Sequence, residues 1–330
     1  MRAIVVPRLG GPEVLELREV ADPVPAADQV VVALKYAGIT FGDVYQREGT
    51  YRGGKPLGAN DAPLPIGGEG VGTVVAVGAN VTDLKVGDAV IYCENLGSYA
   101  ERVAVPAWKV IKLPSDIDAR DAAAMFGQGV TAHYLAYDTG KLAPGMSCLI
   151  HAAAGGVGHI LVQLAKAKGA AVIGTAGSKE KADFVSSLGA DKVILYRDTA
   201  FLPEVKAWGD GGGVDVVYDS VGQATIDDSI KATRVRGLCV LYGNSSGLVD
   251  TISPMDLAAA GSIYFTRPRL GHHVRNRAEI QRRADDLFQA MRDGKLKVAL
   301  NKVFPLADAV EAHRLLGSRT GIGRILLEVA

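Results

Sequence analysis

Cysteine is scarce. The 330 residues hold only Cys93, Cys148 and Cys239, too few and too scattered for a disulfide framework or a four-thiolate zinc lobe. Net charge is absent as well, with 36 basic residues against 36 acidic ones, so no global field favours nucleic acid or an anionic membrane. No uninterrupted apolar run is long enough to span a bilayer. The opening M-R-A-I-V-V-P lacks both an apolar signal core and an Arg/Ser-rich transit composition, so the expected setting is cytoplasmic. What remains is 48% hydrophobic residues and 40 glycines. Such a composition suits an α/β protein with many tight turns, long enough for two domains.

Residues 148–158 read C-L-I-H-A-A-A-G-G-V-G, an apolar run that enters a glycine turn and leaves as a helix. The spacing predicts a helix from about Gly155 to a stop at Gly169. Bare backbone at Gly155, Gly156 and Gly158 lets a pyrophosphate approach the helix N-terminus, where anions are stabilised. The literal G-x-G-x-x-G is missing, because Ala153 takes its first place, but a second apolar run at 171–175 follows at the interval of a right-handed strand-helix-strand unit. Ala153, Gly155, Gly156, Val157 and Gly158 are therefore the expected dinucleotide turn, an ordinary tight turn being the plain alternative. At the end of the second strand an NAD enzyme places an Asp or Glu for the ribose hydroxyls. Here the chain reads T-A-G-S-K-E-K. Gly177 and Ser178 leave room for a 2′-phosphate and Lys179 and Lys181 offer charge, so the expected cofactor is NADPH. Glu180 argues the other way, and both lysines also suit solvated positions on the next helix.

From residue 1 to about 114, short apolar runs at 2–6, 30–37, 70–77, 89–93 and 100–105 are broken by Gly, Pro and Asp, which predicts a β-rich, partly open barrel. Within it, P-L-P-I-G-G-E-G-V-G at 63–72 resembles the G-H-E segment of the medium-chain dehydrogenase/reductase superfamily. The segments G-G-P-E-V-L at 10–15, A-A-A-G-G-V-G at 152–158, V-V-Y-D-S-V-G at 216–222, Y-G-N-S-S-G at 242–247 and Y-F-T-R-P at 264–268 resemble its zinc-free NADPH:quinone oxidoreductase branch, which includes zeta-crystallin. The resemblance covers the whole chain. It implies a GroES-like catalytic domain at 1–126 and 267–330 and an NADP-binding Rossmann domain at 127–266.

A catalytic zinc in that superfamily uses a thiolate in the loop before the first helix, the His of G-H-E and a later Cys or Glu. This loop reads A-G-I-T-F-G-D and the His place is Gly68. No metal is expected, and Glu69 is expected to be a structural carboxylate. Without a Lewis acid, reduction of an acceptor that is already electrophilic is the accessible chemistry. The resemblance implies NADPH-dependent reduction of quinones, with enoyl or alkenal double bonds as the alternative acceptor. A crystallin-like or RNA-binding protein that merely retains NADPH also fits the missing zinc ligands. Tyr45 and Tyr51 are the candidate donors and pocket walls, and Thr40 stands where many relatives place an Asn near the nicotinamide ribose.

A helix is expected over 118–126 and a second one from Gly127, with Gln128 and Thr131 implied to hold the nicotinamide end. Further strands at 193–196, 214–222, 237–243 and 262–266 complete a six-stranded, doubly wound parallel sheet. Ligands of such sheets bind beyond the carboxyl ends of the strands, which singles out Tyr196, Ser220, Val221, Gly243, Asn244 and Ser245. Phe265 and Arg267 join the cofactor set. Arg319 and Arg324 flank the final G-I-G turn as candidates to balance cofactor phosphates. The arginines at 267–283 lack interleaved aromatics, so nucleic acid is not an expected partner. The resemblance implies a homodimer through the edge strand at 262–266.

Overall fold

The computed structural model describes residues 1–52, 57–58, 61–208 and 212–329. The chain divides into two compact units. The first holds Met1–Gln128, Val274–Phe288 and Val298–Ala330, and the second Gly129–His273 and Gln289–Lys297.

In the first unit the strand Gln29–Ile39, rich in β-branched residues, is the hub of a seven-stranded sheet. It pairs antiparallel with Glu69–Val77 along one edge, and with Arg102–Pro106 and then Arg324–Glu328 along the other. Register shifts at Val31/Val32 and Leu34/Tyr36 bend the strand, as bulges do, and let it serve three partners. Val30, Val32, Val74, Val90, Val105 and Leu327 are buried in the core that this sheet encloses. A small sheet of Glu16–Glu19, Arg2–Val6 and Leu64–Pro65 lies in the same unit.

This core contains a charged pair. Arg324 is 1% exposed and Glu69 5%. The guanidinium Nη2 is paired with Glu69 Oε1, while Nε donates to the Ala124 carbonyl (3.0 Å) and Nη1 to the Ile39 carbonyl (3.2 Å). The expectation that Arg324 meets cofactor phosphates is thereby corrected, because a side chain 1% exposed and bonded through all three nitrogens inside the core is out of a ligand's reach. The same pair explains two glycines. A Cβ at Gly38 or Gly127 would overlap the Glu69 carboxyl group. Gly127 is therefore required by packing and does not mark a break. One continuous helix, Ala119–Tyr134, replaces the two expected, and a π-helical turn at Leu135–Thr139 closes it.

The second unit is built on six parallel strands in the order Lys192–Leu195, Ala171–Ala176, Ser147–Ile150, Val214–Asp219, Thr233–Leu241, Tyr264–Thr266. Numbered along the chain this is the 3-2-1-4-5-6 order of a dinucleotide-binding sheet. Helix Gly158–Ala167 ends as its composition predicts, with Gly169 in the left-handed region at φ +75° where a side chain is disfavoured. Residues 267–273 and 289–297 fall in this unit and not with the barrel. Gln163 fixes the later segment through both its amide atoms, donating to the Lys297 carbonyl (2.9 Å) and accepting from the Lys297 N–H (2.8 Å). His273 stacks on Tyr134 with ring centroids 4.1 Å apart, which ties down the earlier one. Among the described residues no helix is long and apolar enough to cross a membrane.

Candidate active site

The first strand of the parallel sheet runs into a turn held by two backbone bonds, Ala153 N–H to Thr175 O (3.0 Å) and Gly155 N–H to Ala152 O (2.8 Å). Regular helix is assigned from Gly158, three residues after the expected start, yet the His159 N–H already bonds the Gly155 carbonyl (3.1 Å). The amides of Gly156, Val157 and Gly158 thus belong to a first turn that has no intrahelical acceptors, an arrangement suited to a pyrophosphate. At Gly158 a Cβ would meet Ala153 Cα at 2.8 Å. An alanine there would push the helix away from its turn.

At the end of the second strand Gly177 lies under Tyr196, whose hydroxyl would be 2.6 Å from a Cβ at that position. Ser178 caps the helix Lys179–Ser187 by accepting from the Lys181 N–H. Burial pushes the Lys181 ammonium below its usual value and the Arg197 charge adds to the effect, with Glu180 opposing. Two cations that raise one another's free energy form a place where a doubly charged anion is stabilised. Lys179, by contrast, pairs with Asp183 (2.8 Å) and is a solvated helix position. Arg197 was not singled out from sequence. The signal was its place directly after Tyr196, at the mouth of a strand.

Beyond the fourth strand, the buried carboxylate of Asp219 organises the next loop. Its Oδ1 accepts from the Val221 and Gly222 N–H groups (2.8 and 2.9 Å), and its Oδ2 from Thr225 and Ser229 hydroxyls (2.7 Å each). Ser229 also meets His151 Nε2 at 3.0 Å, and His151 Nδ1 meets the Thr175 hydroxyl at 3.2 Å. One buried network therefore links the glycine turn to the 219–222 loop. It leaves Val221 no backbone donor for a ligand, because the N–H is held by Asp219 and the carbonyl accepts from Ser246 (2.7 Å); only the Val221 side chain can make the expected contact. Gly243 packs on the Ser220 backbone, where a Cβ would approach the Ser220 Cα at 3.0 Å, and the Ser245 N–H bonds the Ser220 carbonyl (3.2 Å). Asn244 bridges two partners when its amide is oriented by the hydrogen-bond network, accepting from Arg267 Nη2 (3.1 Å) and donating to Gly243 O (2.9 Å). With Leu241, Leu248, Val249 and Phe265 these two side chains line a cavity of about 210 Å³. Replacing Asp219 with alanine should raise KM for the dinucleotide by about tenfold or more, since it frees both loop amides and takes the shared acceptor from the Thr225 and Ser229 hydroxyls. Steady-state kinetics with circular dichroism of the variant check this.

In the first unit, Thr40 precedes the helix Phe41–Arg47, and Asp43 reaches back to accept from the Thr40 N–H (2.7 Å) and hydroxyl (3.1 Å). T-F-G-D is a capping-box pattern, so this contact was legible, although Asp43 was not named. Tyr45 is buried and meets Tyr51 edge-on with centroids 5.7 Å apart; Tyr51 is 53% exposed. Gln128 Oε1 is buried and has no hydrogen-bond partner among the described residues, which leaves it an acceptor to be satisfied. Thr131 lies on the same helix, three residues on. Arg319 is exposed at the C-cap of helix Ala309–Ser318, in the left-handed region at φ +57°.

Asp43 also belongs to a buried chain. The Tyr99 hydroxyl donates to Asp43 Oδ2 (3.2 Å) and meets His313 Nε2 (3.1 Å), and Arg47 Nη1 meets His313 Nδ1 (3.0 Å). Burial raises the Asp43 carboxyl from 3.8 to about 7, and burial together with the Arg47 charge lowers His313 from 6.5 to about 3. Between about pH 6.5 and 3.8 the two act in opposite directions. The folded chain binds more protons than the unfolded one at Asp43, so that group adds stability as pH falls; it binds fewer at His313, so that group removes it. His313→Gln should therefore gain, relative to the parent, about 1.4 kcal/mol per pH unit on acidification through this window, read from urea unfolding at pH 6.5, 5.5 and 4.5. A parent and variant with parallel pH profiles would contradict the assignment.

Among the described residues no group of three or more His, Cys, Asp or Glu is placed to hold a metal ion, and Glu69, the ionisable side chain of the G-G-E segment, is committed to Arg324. The residues present do not fit a catalytic zinc.

Residues 26–115 match the model of the alcohol dehydrogenase GroES-like domain and residues 156–289 that of zinc-binding dehydrogenases. The chain is 41% identical over 329 residues to 2-haloacrylate reductase of Burkholderia sp., covering 98% of each. It is 40% identical over 321 residues to quinone oxidoreductase 1 of Escherichia coli K12, covering 96% of each. The crystal structure of Escherichia coli quinone oxidoreductase complexed with NADPH superposes with a TM-score of 0.94 at 38% identity, over 100% of both chains. With the sheet order, the glycine turn and the GroES-like unit in place, the chain belongs to the quinone oxidoreductase branch of the medium-chain dehydrogenase/reductase superfamily.

Proposed function

We propose that this protein is a metal-independent, NADPH-dependent reductase of quinones. The observation that carries the reading is the burial of Glu69 against Arg324. It removes the last candidate ligand at the place where zinc-dependent relatives activate an alcohol, and so points to acceptors that delocalise charge without a Lewis acid. When bound, NADPH supplies the hydride. The amides of Gly156, Val157 and Gly158 hold its pyrophosphate, with Ala153 and Gly155 shaping the turn. Gly177, Ser178, Lys181, Tyr196 and Arg197 take its 2′-phosphate. Ser220, Val221, Gly243, Asn244, Ser245, Phe265 and Arg267 support the rest of the nucleotide, and Arg319 keeps its place as a phosphate contact. Gln128 and Thr131 orient the nicotinamide end, Gln128 as an acceptor. Tyr45 and Tyr51 form the acceptor wall, since phenols with an ordinary pKa near 10 are weak acids at neutrality.

Reduction of a conjugated double bond is the second reading, favoured by the likeness to 2-haloacrylate reductase. Initial rates of NADPH oxidation with 1,4-benzoquinone, 2-chloroacrylate, a 2-enoyl thioester and a simple aldehyde separate the two. Quinone turnover supports the main reading, enoyl or acrylate turnover with quinone inactive supports the second, and RNA retention without any turnover supports the non-catalytic one.

The three cysteines are buried and free, which fits a reducing, cytoplasmic setting. The sheet ends on the short strand Tyr264–Thr266, where Tyr264 is 67% exposed, and Val235 on the neighbouring strand Thr233–Leu241 is 62% exposed. An edge of this kind is a pairing surface, and the proposed assembly is a homodimer that joins two such edges. Light scattering at micromolar concentration should give twice the chain mass, and Tyr264→Asp should shift it towards the single-chain mass. A wild-type monomer would contradict the proposal.

A further inference from the structure

The chain of buried groups behind Thr40 has a direction. Arg47 carries only donors, so its Nη1 donates to His313 Nδ1 (3.0 Å). The neutral imidazole then holds its proton on Nε2 and donates to the Tyr99 oxygen (3.1 Å), and the Tyr99 hydroxyl donates to Asp43 Oδ2 (3.2 Å). Asp43, Tyr99, His313 and Arg47 are all buried, whereas Thr40, 3.1 Å from the same Oδ2, is half-buried. A guanidinium does not release a proton in this range. Proton movement along the chain is therefore closed at the Arg47 end and open at Thr40.

We propose that Asp43 stores the proton that completes acceptor reduction and passes it outward through the Thr40 hydroxyl. The inference rests on the function proposed above, with Thr40 next to the Tyr51 acceptor wall: a Cβ at Gly42 would lie 3.1 Å from Thr40 Oγ1 and 3.8 Å from the Tyr51 hydroxyl. After hydride transfer the acceptor carries the new electron pair as a phenolate or enolate oxyanion. The Thr40 O–H bond breaks as an O–H bond forms on that oxygen, and the Asp43 carboxyl O–H breaks as its proton moves to Thr40 Oγ1. One hydride and one proton complete the two-electron product, and Asp43 is left as a carboxylate that accepts from Thr40 and Tyr99. Solvent water restores its proton between turnovers. Asp43 acts through Thr40 and is a positioning residue; Thr40 is the group that meets the acceptor.

The surroundings fit a store that fills and empties near neutrality. Burial raises the Asp43 carboxyl to about 7, with the Glu69 charge adding to it and the bonds from Thr40 and Tyr99 opposing. The other groups facing it are Tyr99, raised well above its usual value by burial, and His313, lowered to about 3, so both stay neutral through that range. Arg47 meets His313 at the far end of the chain, and Glu69 is paired with Arg324.

The test is kcat against pH from 5.5 to 9 with saturating NADPH and 1,4-benzoquinone, or with the enoyl thioester if that is the acceptor turned over. Wild-type kcat should fall as pH rises through about 7. Asp43→Asn and Thr40→Val should lose that inflection and be slower at pH 6 by about tenfold or more, while Thr40→Ser retains it. Should Asp43→Asn fail to fold, Thr40→Val decides alone, because it leaves Asp43 its bonds from the Thr40 N–H and Tyr99. A flat wild-type profile, or an inflection that survives in the variants, overturns the proposal while leaving the reductase reading intact. Absence of NADPH turnover with every acceptor overturns both.

Discussion

Replacing Arg324 with alanine is expected to lower the unfolding free energy by about 3–5 kcal/mol, the loss typical when one partner of a buried ion pair is removed. The Glu69 carboxylate would be left without a counter-charge, and the Ala124 and Ile39 carbonyls would lose their donor. The strand Arg324–Glu328 and helix Ala119–Tyr134 are tied through this one side chain, so the effect should be cooperative over the first unit. Glu69→Leu combined with Arg324→Met should recover most of the loss, because an apolar pair of similar volume can replace a buried ionic one. Chemical denaturation of the three proteins measures it. A fully stable Arg324→Ala protein with a raised KM for NADPH would return Arg324 to the cofactor phosphates.

The second large effect is expected at the end of the second strand of the parallel sheet. Lys181→Ala and Arg197→Ala should each raise KM for NADPH by about 10- to 100-fold, since a hydrogen bond to a charged group contributes about 1.5–3 kcal/mol. Each should leave KM for NADH almost unchanged, because NADH has no 2′-phosphate. Lys179→Ala, by contrast, should change neither, as its ammonium pairs with Asp183 in solvent. Parallel KM determinations with the two cofactors give the answer. Equal losses with NADPH and NADH would show that the two cations act on the fold, or on a phosphate common to both cofactors.

How far these features were legible in the sequence follows from the range of the interactions. The six strands of the second unit were legible as a doubly wound parallel sheet because apolar runs, glycine turns and helices alternate locally and the parallel crossover has one hand; their order is seen only in the structure. The glycine turn was legible for the same reason. Gly127 misled, because a glycine inside a helical pattern reads as a break, and only the distant Glu69 carboxylate explains why no Cβ fits there. Arg324 misled in a related way. Near a terminal glycine turn an arginine reads as solvent-facing, and nothing local indicates that its partner lies 255 residues earlier. Asp43 and Asp219 were passed over because an Asp beside a turn is common chemistry. Their weight comes from burial and from Tyr99, His313, Ser229 and His151, which sequence spacing does not bring together.

The most direct measurement is NADPH oxidation with 1,4-benzoquinone by protein treated with a strong chelator and shown to be free of zinc. The structure predicts undiminished turnover, with kcat/KM for NADPH well above that for NADH. Loss of activity on chelation and its return with added zinc would contradict the metal-independent site on which the proposed function stands.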